Sequence, residues 1–234
     1  MNDPGVPLPP ERPPSPTRER FERIYATLRD RICLLDYPPG TRLSEEELAA
    51  EFATSRTPVR RVLARLEDQG LVESRHGVGT IVTDPRLEEL IQVYHLRMEL
   101  AVLIGRLSPV PRSPGDLDRM RLLLDRCEAL AEAPDPRTFA RLNMDFAREL
   151  AAMTGNAPLR EINDRLYYLS SRIVLTMIPH LNLSDEVAIF HREMADIVMA
   201  AEIGDLMAVG HIRRSHVSMS FSRMMRYADG AGPK

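Results

Sequence analysis

Lysine is almost missing from this 234-residue chain: Lys234 is the only one, so nearly all of the 31 basic side chains are arginine. There is no overall basic excess either. The formal net charge is −3, and residues 1–84 carry 12 arginines against 14 acids. That excludes a protein that holds nucleic acid by bulk charge, and any phosphate affinity must come from a local patch. No apolar run approaches the roughly 20 residues a membrane span needs, so no membrane partner is expected. The start has no basic segment leading into an apolar one, so no secretory leader is expected. Cys33 and Cys127 are isolated and make no metal-ligand spacing. Two such cysteines fit a reducing cytoplasm rather than a disulfide framework. There is no HExxH-type spacing and no nucleophile–base pair, so catalysis is not expected.

What is present is ordinary globular composition, 44% hydrophobic and 28% charged, which supports a core without staples. Met1–Thr17 carries prolines at 4, 7, 9, 10, 13, 14 and 16 and reads as a disordered arm. From about Arg20, the residues Phe21, Ile24, Tyr25, Leu28, Ile32 and Leu35 keep the spacing of an amphipathic helix, stopped at Tyr37-Pro38-Pro39-Gly40. Ser44-Glu45-Glu46-Glu47 is a capping-box pattern opening a short helix with Leu48, Ala49 and Phe52 inward. Thr57-Pro58 reads as the N-cap and first position of a third helix, with Val59, Val62, Leu63 and Leu66 as its buried stripe and Gly70 as its end. Leu71–Glu73 and Thr80–Val82 are short strand candidates around a tip at 75–79. Beyond Asp84-Pro85 the pattern is helical, with helices expected near 86–107, 116–132, 137–153, 158–178, 185–203 and 205–227. The expected organisation is therefore an arm (1–17), a three-helix head with a β-hairpin (18–84), an all-α antiparallel bundle (85–228) and a flexible tail (229–234).

Arg56, Arg60, Arg61 and Arg65 occupy ten residues without an acid. Alone, they read equally as a solvated helix face or an arginine-rich coding habit. Helix, tight turn, helix and hairpin in that order make a winged helix-turn-helix, and this favours DNA. The major groove admits one helix, and the guanidinium fork pairs bidentately with guanine or grips phosphate. Ser55, Thr57 and the tip residues His76 and Gly77 can add phosphate or minor-groove contacts. The stretch "PPGTRLSEEELAAEFATSRTPVRRVLARLEDQGLV" resembles the DNA-binding head of the GntR superfamily of bacterial transcription regulators. The family usually has "VREAL" where this chain has Val59-Arg60-Arg61-Val62-Leu63, and Arg61 in place of the acid makes the helix more attractive to phosphate. The resemblance implies that Arg56, Thr57 and Arg60 contact base or phosphate and that His76 and Gly77 form the wing contact.

"LRMEL", "DFARELAAMTGNAPL" and "EMADIVMAAEIGDLMAVGHIRRSH" resemble, more loosely, the FadR-type branch and its FCD-like helical effector domain. That branch binds small organic acids, often through a metal held by an Asp, a His four residues on, and two later histidines. Here those positions are Asn143, Ala147, Met194 and His216. One imidazole, an amide and a thioether do not make a divalent-metal site, so no cofactor is expected. The alternative is His191 swinging in beside His216; His180 and His211 show no pairing. Arg97 falls at a family arginine and reads equally as a clamp on a ligand carboxylate or as an interhelical ion pair. The family glutamate four residues later is Ala101. The expected ligand pocket is Arg97, Asn143, Ala147, Met194 and His216, for an organic acid or a more apolar metabolite. The combined expectation is a cytoplasmic, homodimeric, ligand-responsive regulator that represses from a palindromic operator on double-stranded DNA. The alternatives are a constitutive DNA-binding protein with a decayed pocket and a helical metal-dependent enzyme.

Overall fold

In the computed structural model, residues 15–177 and 182–228 are described. The chain opens with α1 (Pro16–Cys33), β1 (Arg42–Leu43), α2 (Glu45–Glu51), α3 (Arg56–Asp68), β2 (Val72–Arg75) and β3 (Gly79–Val82). It continues with α4 (Leu87–Ile104), α5 (Pro114–Glu132), α6 (Pro136–Ala151), α7 (Ala157–Met177), α8 (Leu183–Glu202) and α9 (Leu206–Ala228). This is the mostly helical architecture expected, a winged helix-turn-helix followed by a helical bundle.

Four local expectations need correction. The first helix does not start near Arg20. It starts at Pro16, where Ser15 accepts the Arg18 N–H and proline's missing N–H costs nothing at the first position. The last residues of the expected arm are thus helical, and residues 1–14 lie outside the described residues. The third helix starts two residues early, with Ser55 as N-cap; Thr57 is inside the helix and Pro58 is its third residue, still within the turn whose N–H groups need no helical partner. The hairpin is in fact part of a three-stranded antiparallel sheet in the order β1-β3-β2, because the two-residue β1 pairs with β3 through Arg42↔Ile81 and Leu43↔Thr80. Leu35, expected in the α1 stripe, lies beyond the helix with φ 59°.

The head core gathers Ile24, Leu28, Ile32, Val59, Val62 and Leu66, all essentially inaccessible. That core does not stop at the bundle. Ala140 and Met144 of α6 and Tyr167 and Tyr168 of α7 belong to the same cluster. Polar contacts reinforce the junction. The Arg29 guanidinium stacks 4.2 Å from the Tyr168 ring centroid, and Asp30 accepts from Arg148. Asp36 pairs with Arg137, and the buried Arg172 of α7 donates to the Thr83 carbonyl (2.7 Å) and hydroxyl (2.9 Å) in the linker.

A second core fills the bundle around Met120, Leu142, Phe146, Met153, Met194 and Ile197. Phe190 meets Phe139 and Phe146 edge-on. At Gly105 and Gly210, α4 and α9 pack with almost nothing between their backbones. A Cβ on Gly105 would fall 1.9 Å from the Leu206 carbonyl oxygen, and one on Gly210 would fall 3.0 Å from that of Ala101. No helix among the described residues is long and apolar enough to cross a membrane.

Candidate nucleic-acid interface and ligand cavity

α3 turns Val59, Val62, Leu63 and Leu66 inward and leaves Arg56, Thr57, Arg60 and Arg61 exposed. Ser55 makes no side-chain bond to the helix it caps, so its hydroxyl and the first-turn N–H groups remain open to a phosphate. Arg60 forks onto Glu45 (2.9 and 2.8 Å), Arg56 reaches Glu46 (2.6 Å), and Arg65 reaches both oxygens of Glu22 (2.9 Å). Arg65 also lies over the Tyr25 ring, 3.9 Å from its centroid. Among the described residues, Arg61 alone of the four has no carboxylate partner; its guanidinium lies 5.7 Å from the Phe21 centroid. The Arg60 guanidinium holds the Glu45 carboxyl below the usual carboxylate range.

His76 and Gly77 are exposed at the wing tip, where φ of 75° at Gly77 and 107° at Gly79 are values that glycine adopts without a Cβ clash. The wing is tied to α3 by Glu67, which accepts from the Ser74 N–H (2.7 Å) and hydroxyl (2.9 Å). Sequence reasoning gave no role to Glu67 or Glu22 and read Glu45 and Glu46 only as part of the capping-box pattern.

Between α4, α6, α7, α8 and α9 the bundle holds a partly open cavity of about 80 Å³, with Cys33 of α1 in its wall. Its charged lining is three guanidiniums, Arg97, Arg213 and Arg223, and two carboxylates, Glu186 and Glu193. Arg223 forks onto Glu186 (2.7 and 2.9 Å), and Arg213 pairs with Glu193. Arg97 is 9% exposed. It donates to the Ser170 hydroxyl (2.9 Å) and lies 5.1 and 5.3 Å from the Tyr94 and Tyr167 ring centroids. No carboxylate among the described residues pairs with it. Burial lowers its pKa, and the neighbouring Arg213 charge lowers it further. His216 Nδ1 is buried without a hydrogen bond; the nearest carboxylate oxygen, on Glu193, is 3.9 Å away, too far to accept. Burial pushes the Cys33 thiol up to about 11.

Of the expected pocket residues, Arg97, Asn143 and His216 line this cavity together. Asn143 turns its Nδ2 back to the Phe139 carbonyl (2.9 Å). Ala147 lines a smaller adjoining void of about 20 Å³ with Arg97, Tyr167 and Arg213. Met194 does not line the cavity. It is fully buried in the bundle core, because one step along α8 from Glu193 turns the side chain about 100° away. His191 is half-buried and lines no part of the cavity, and His180 lies outside the described residues. The reading of Arg97 as an interhelical ion pair does not hold: its partners among the described residues are a hydroxyl and two aromatic rings. No group of three or more His, Cys, Asp or Glu side chains among the described residues is placed to hold a metal ion.

The missed residues had a signal. Glu186, Ile189, Phe190 and Glu193 share one helical face, as do Arg213, His216, Val217, Ser220 and Arg223, so charge stands on the spacing that faces inward.

Comparison with known proteins agrees with this division. The model for bacterial regulatory proteins of the gntR family matches residues 20–82, and that for the FCD domain matches residues 92–218. An uncharacterized HTH-type transcriptional regulator of Mycobacterium tuberculosis, Rv0494, is 32% identical over 62% of this chain, which spans 66% of that relative's length. A probable D-xylose utilization operon transcriptional repressor of Paenarthrobacter nicotinovorans is 30% identical over 77% of this chain and 78% of its own. The solved structure of E. coli McbR/YncC superposes with a TM-score of 0.76 at 18% identity, over 89% of this chain and 98% of that one, a likeness of fold. Its relatives are regulators and not enzymes, and the chain itself belongs to the GntR family of transcription regulators, with an FCD effector domain behind its DNA-binding head.

Proposed function

We propose that this protein is a metabolite-responsive repressor that binds a palindromic operator as a homodimer in the cytoplasm and senses its effector in the bundle cavity without a metal. The DNA contacts assigned to it are Ser55, Arg56, Thr57, Arg60, Arg61 and Arg65 on α3, with His76 and Gly77 at the wing. The carboxylates that hold three of these arginines are no obstacle. Exposed ion pairs contribute little, whereas a bidentate contact to guanine discriminates by about 1–3 kcal/mol, so DNA displaces Glu45 and Glu46. The acids pre-set the side-chain positions until DNA arrives. Repression follows the Paenarthrobacter relative by analogy. One head neutralises few phosphates, and two heads on a two-fold site supply the rest.

The observation that carries the sensing half is the double use of α7. Tyr167 and Ser171 line the cavity, while Tyr168 and Arg172 hold α1 and the linker. Cys33 of α1 itself borders the cavity. A ligand that fits better when α7 is displaced therefore changes the seating of the head, which is the differential affinity that allosteric control requires. Selection of duplexes from a random pool by the full-length protein tests the DNA half. Inverted repeats with half-sites about one helical turn apart are expected; enrichment of single half-sites, or of nothing, would overturn it.

A further inference from the structure

A second concavity lies in the head, away from the bundle. Between the first two turns of α1 and the start of α3 runs a groove of about 610 Å³. Arg18 and Arg20 reach it from α1, and Arg61 reaches it from α3. None of the three has a carboxylate partner among the described residues. The acid on the wall is Glu22, which gives both oxygens to Arg65 (2.9 Å). Pro16, Phe21 and Pro58 supply apolar surface between the charges. Low-dielectric walls between like charges focus a positive potential into a cleft, and such a cleft attracts a polyanion. The cluster is local, because residues 1–84 as a whole carry 12 arginines against 14 acids. The groove also continues the face already assigned to DNA: Thr57 and Arg61, four apart on one side of α3, belong to both. We propose that this groove seats the sugar–phosphate backbone of the operator, so that α3 reads bases while Arg18 and Arg20 of α1, with Arg61, grip the strand alongside.

This rests on the operator-binding role proposed above and adds an anchor on a different helix. Arg18 lies ahead of residues 20–82, the stretch shared with the GntR family. Phosphate contacts fix position and carry no sequence information, so the anchor adds affinity without narrowing the choice of operator. It also makes α1 a strut between DNA and bundle. At the far end of the same helix, Arg29 stacks on Tyr168 and Cys33 borders the ligand cavity. A shift of α1 at its bundle end therefore moves the anchor as well.

Ethylation interference on a selected duplex tests the idea, with the full-length wild type beside the double variant Arg18→Gln/Arg20→Gln. Both side chains are exposed, and the substitution keeps the Arg18 N–H that Ser15 accepts, so an unchanged melting temperature is expected. Ethylation is expected to block the wild type at phosphates that no longer matter to the double variant, while guanine methylation blocks both proteins at the same bases. One phosphate for each lost arginine, in each of two heads, lowers the slope of log affinity against log salt by about 3–4. Selected and random duplexes are expected to weaken by the same factor. Arg18→Lys/Arg20→Lys, which keeps the charge, is expected to keep the slope. An unchanged slope and phosphate pattern in the glutamine variant overturns the inference, as does a change in the guanines contacted or a lysine variant that behaves like the glutamine one. A melting temperature raised by sodium phosphate over sodium chloride, with the duplex slope unmoved, would give the groove to a small anion and overturn it too. A wild type that binds no duplex refutes the operator reading itself; one that selects its duplex while Arg18 and Arg20 stay silent refutes the anchor alone.

Discussion

On α3, four guanidiniums lie on a surface open to solvent, and three of them rest on carboxylates of α1 and α2. In the bundle, three guanidiniums lie inside the protein with two carboxylates between them. The residue is the same and the solvent is not. On the surface, water screens each pair, so a partner can be exchanged for DNA at little cost. In the cavity, desolvation makes each partner hard to lose and each missing partner expensive. One chain thus uses arginine as an exchangeable contact at one end and as a fixed charge demand at the other.

Removing one arginine from each region should separate them most widely. Arg213→Met strands Glu193 in the bundle and is expected to cost about 3–5 kcal/mol in urea unfolding. Arg60→Ala is expected to leave the urea midpoint where it was. An equal loss in both would erase the distinction. The order reverses for DNA. Arg60→Ala should weaken binding to a selected duplex by about tenfold or more and reduce the slope of log affinity against log salt by about one, while Arg213→Met, wherever it remains folded, should bind the duplex with unchanged salt slope. Arg61→Ala sharpens the picture within the head. Standing where the family has an acid, Arg61 is expected to add a phosphate contact, so its loss should weaken selected and random duplexes by the same factor.

The smallest effect concerns the junction between the regions. The Arg137 guanidinium holds the Asp36 carboxyl below its usual range. A depressed carboxylate adds stability that is fully present above its unfolded value, near 3.9, and is lost as pH falls through the lower folded one. Urea midpoints measured from pH 6 down to pH 3 should therefore drop less steeply in Asp36→Asn than in the wild type. Parallel curves would mean that this ion pair does not hold the head to the bundle.

Much of this was readable in the sequence, for identifiable reasons. The bundle helices were legible because Pro, Gly and capping residues punctuate strong three-four periodicity; the expected 137–153 became Pro136–Ala151, capped by Asp135 through the Thr138 N–H. The arginines of α3 were legible because the buried valines and leucines fix which face remains. The start of α1 was misread because Ser15-Pro16, an N-cap with its first-position proline, closes a proline-rich run and looks like more of it. β1 was invisible because two residues carry no alternation, and only pairing with β3 makes them a strand. Met194 was misplaced because family correspondence gives a position along a helix and not the angle around it. Arg213 and Glu193 were missed because charge is read as solvated by default, although both stand on inward-facing spacing.

The bare backbone contact of α4 with α9 has one more consequence. Where Gly105 and Gly210 let carbonyls of the facing helix come within reach of an absent Cβ, no layer of side chains is left to slip or repack. At that end the two helices form a keel that resists shear, while Tyr94 stacks on Phe221 further along. A stroke produced by filling the cavity then falls on the other walls, among them α7, whose Tyr168 and Arg172 hold the base of the head.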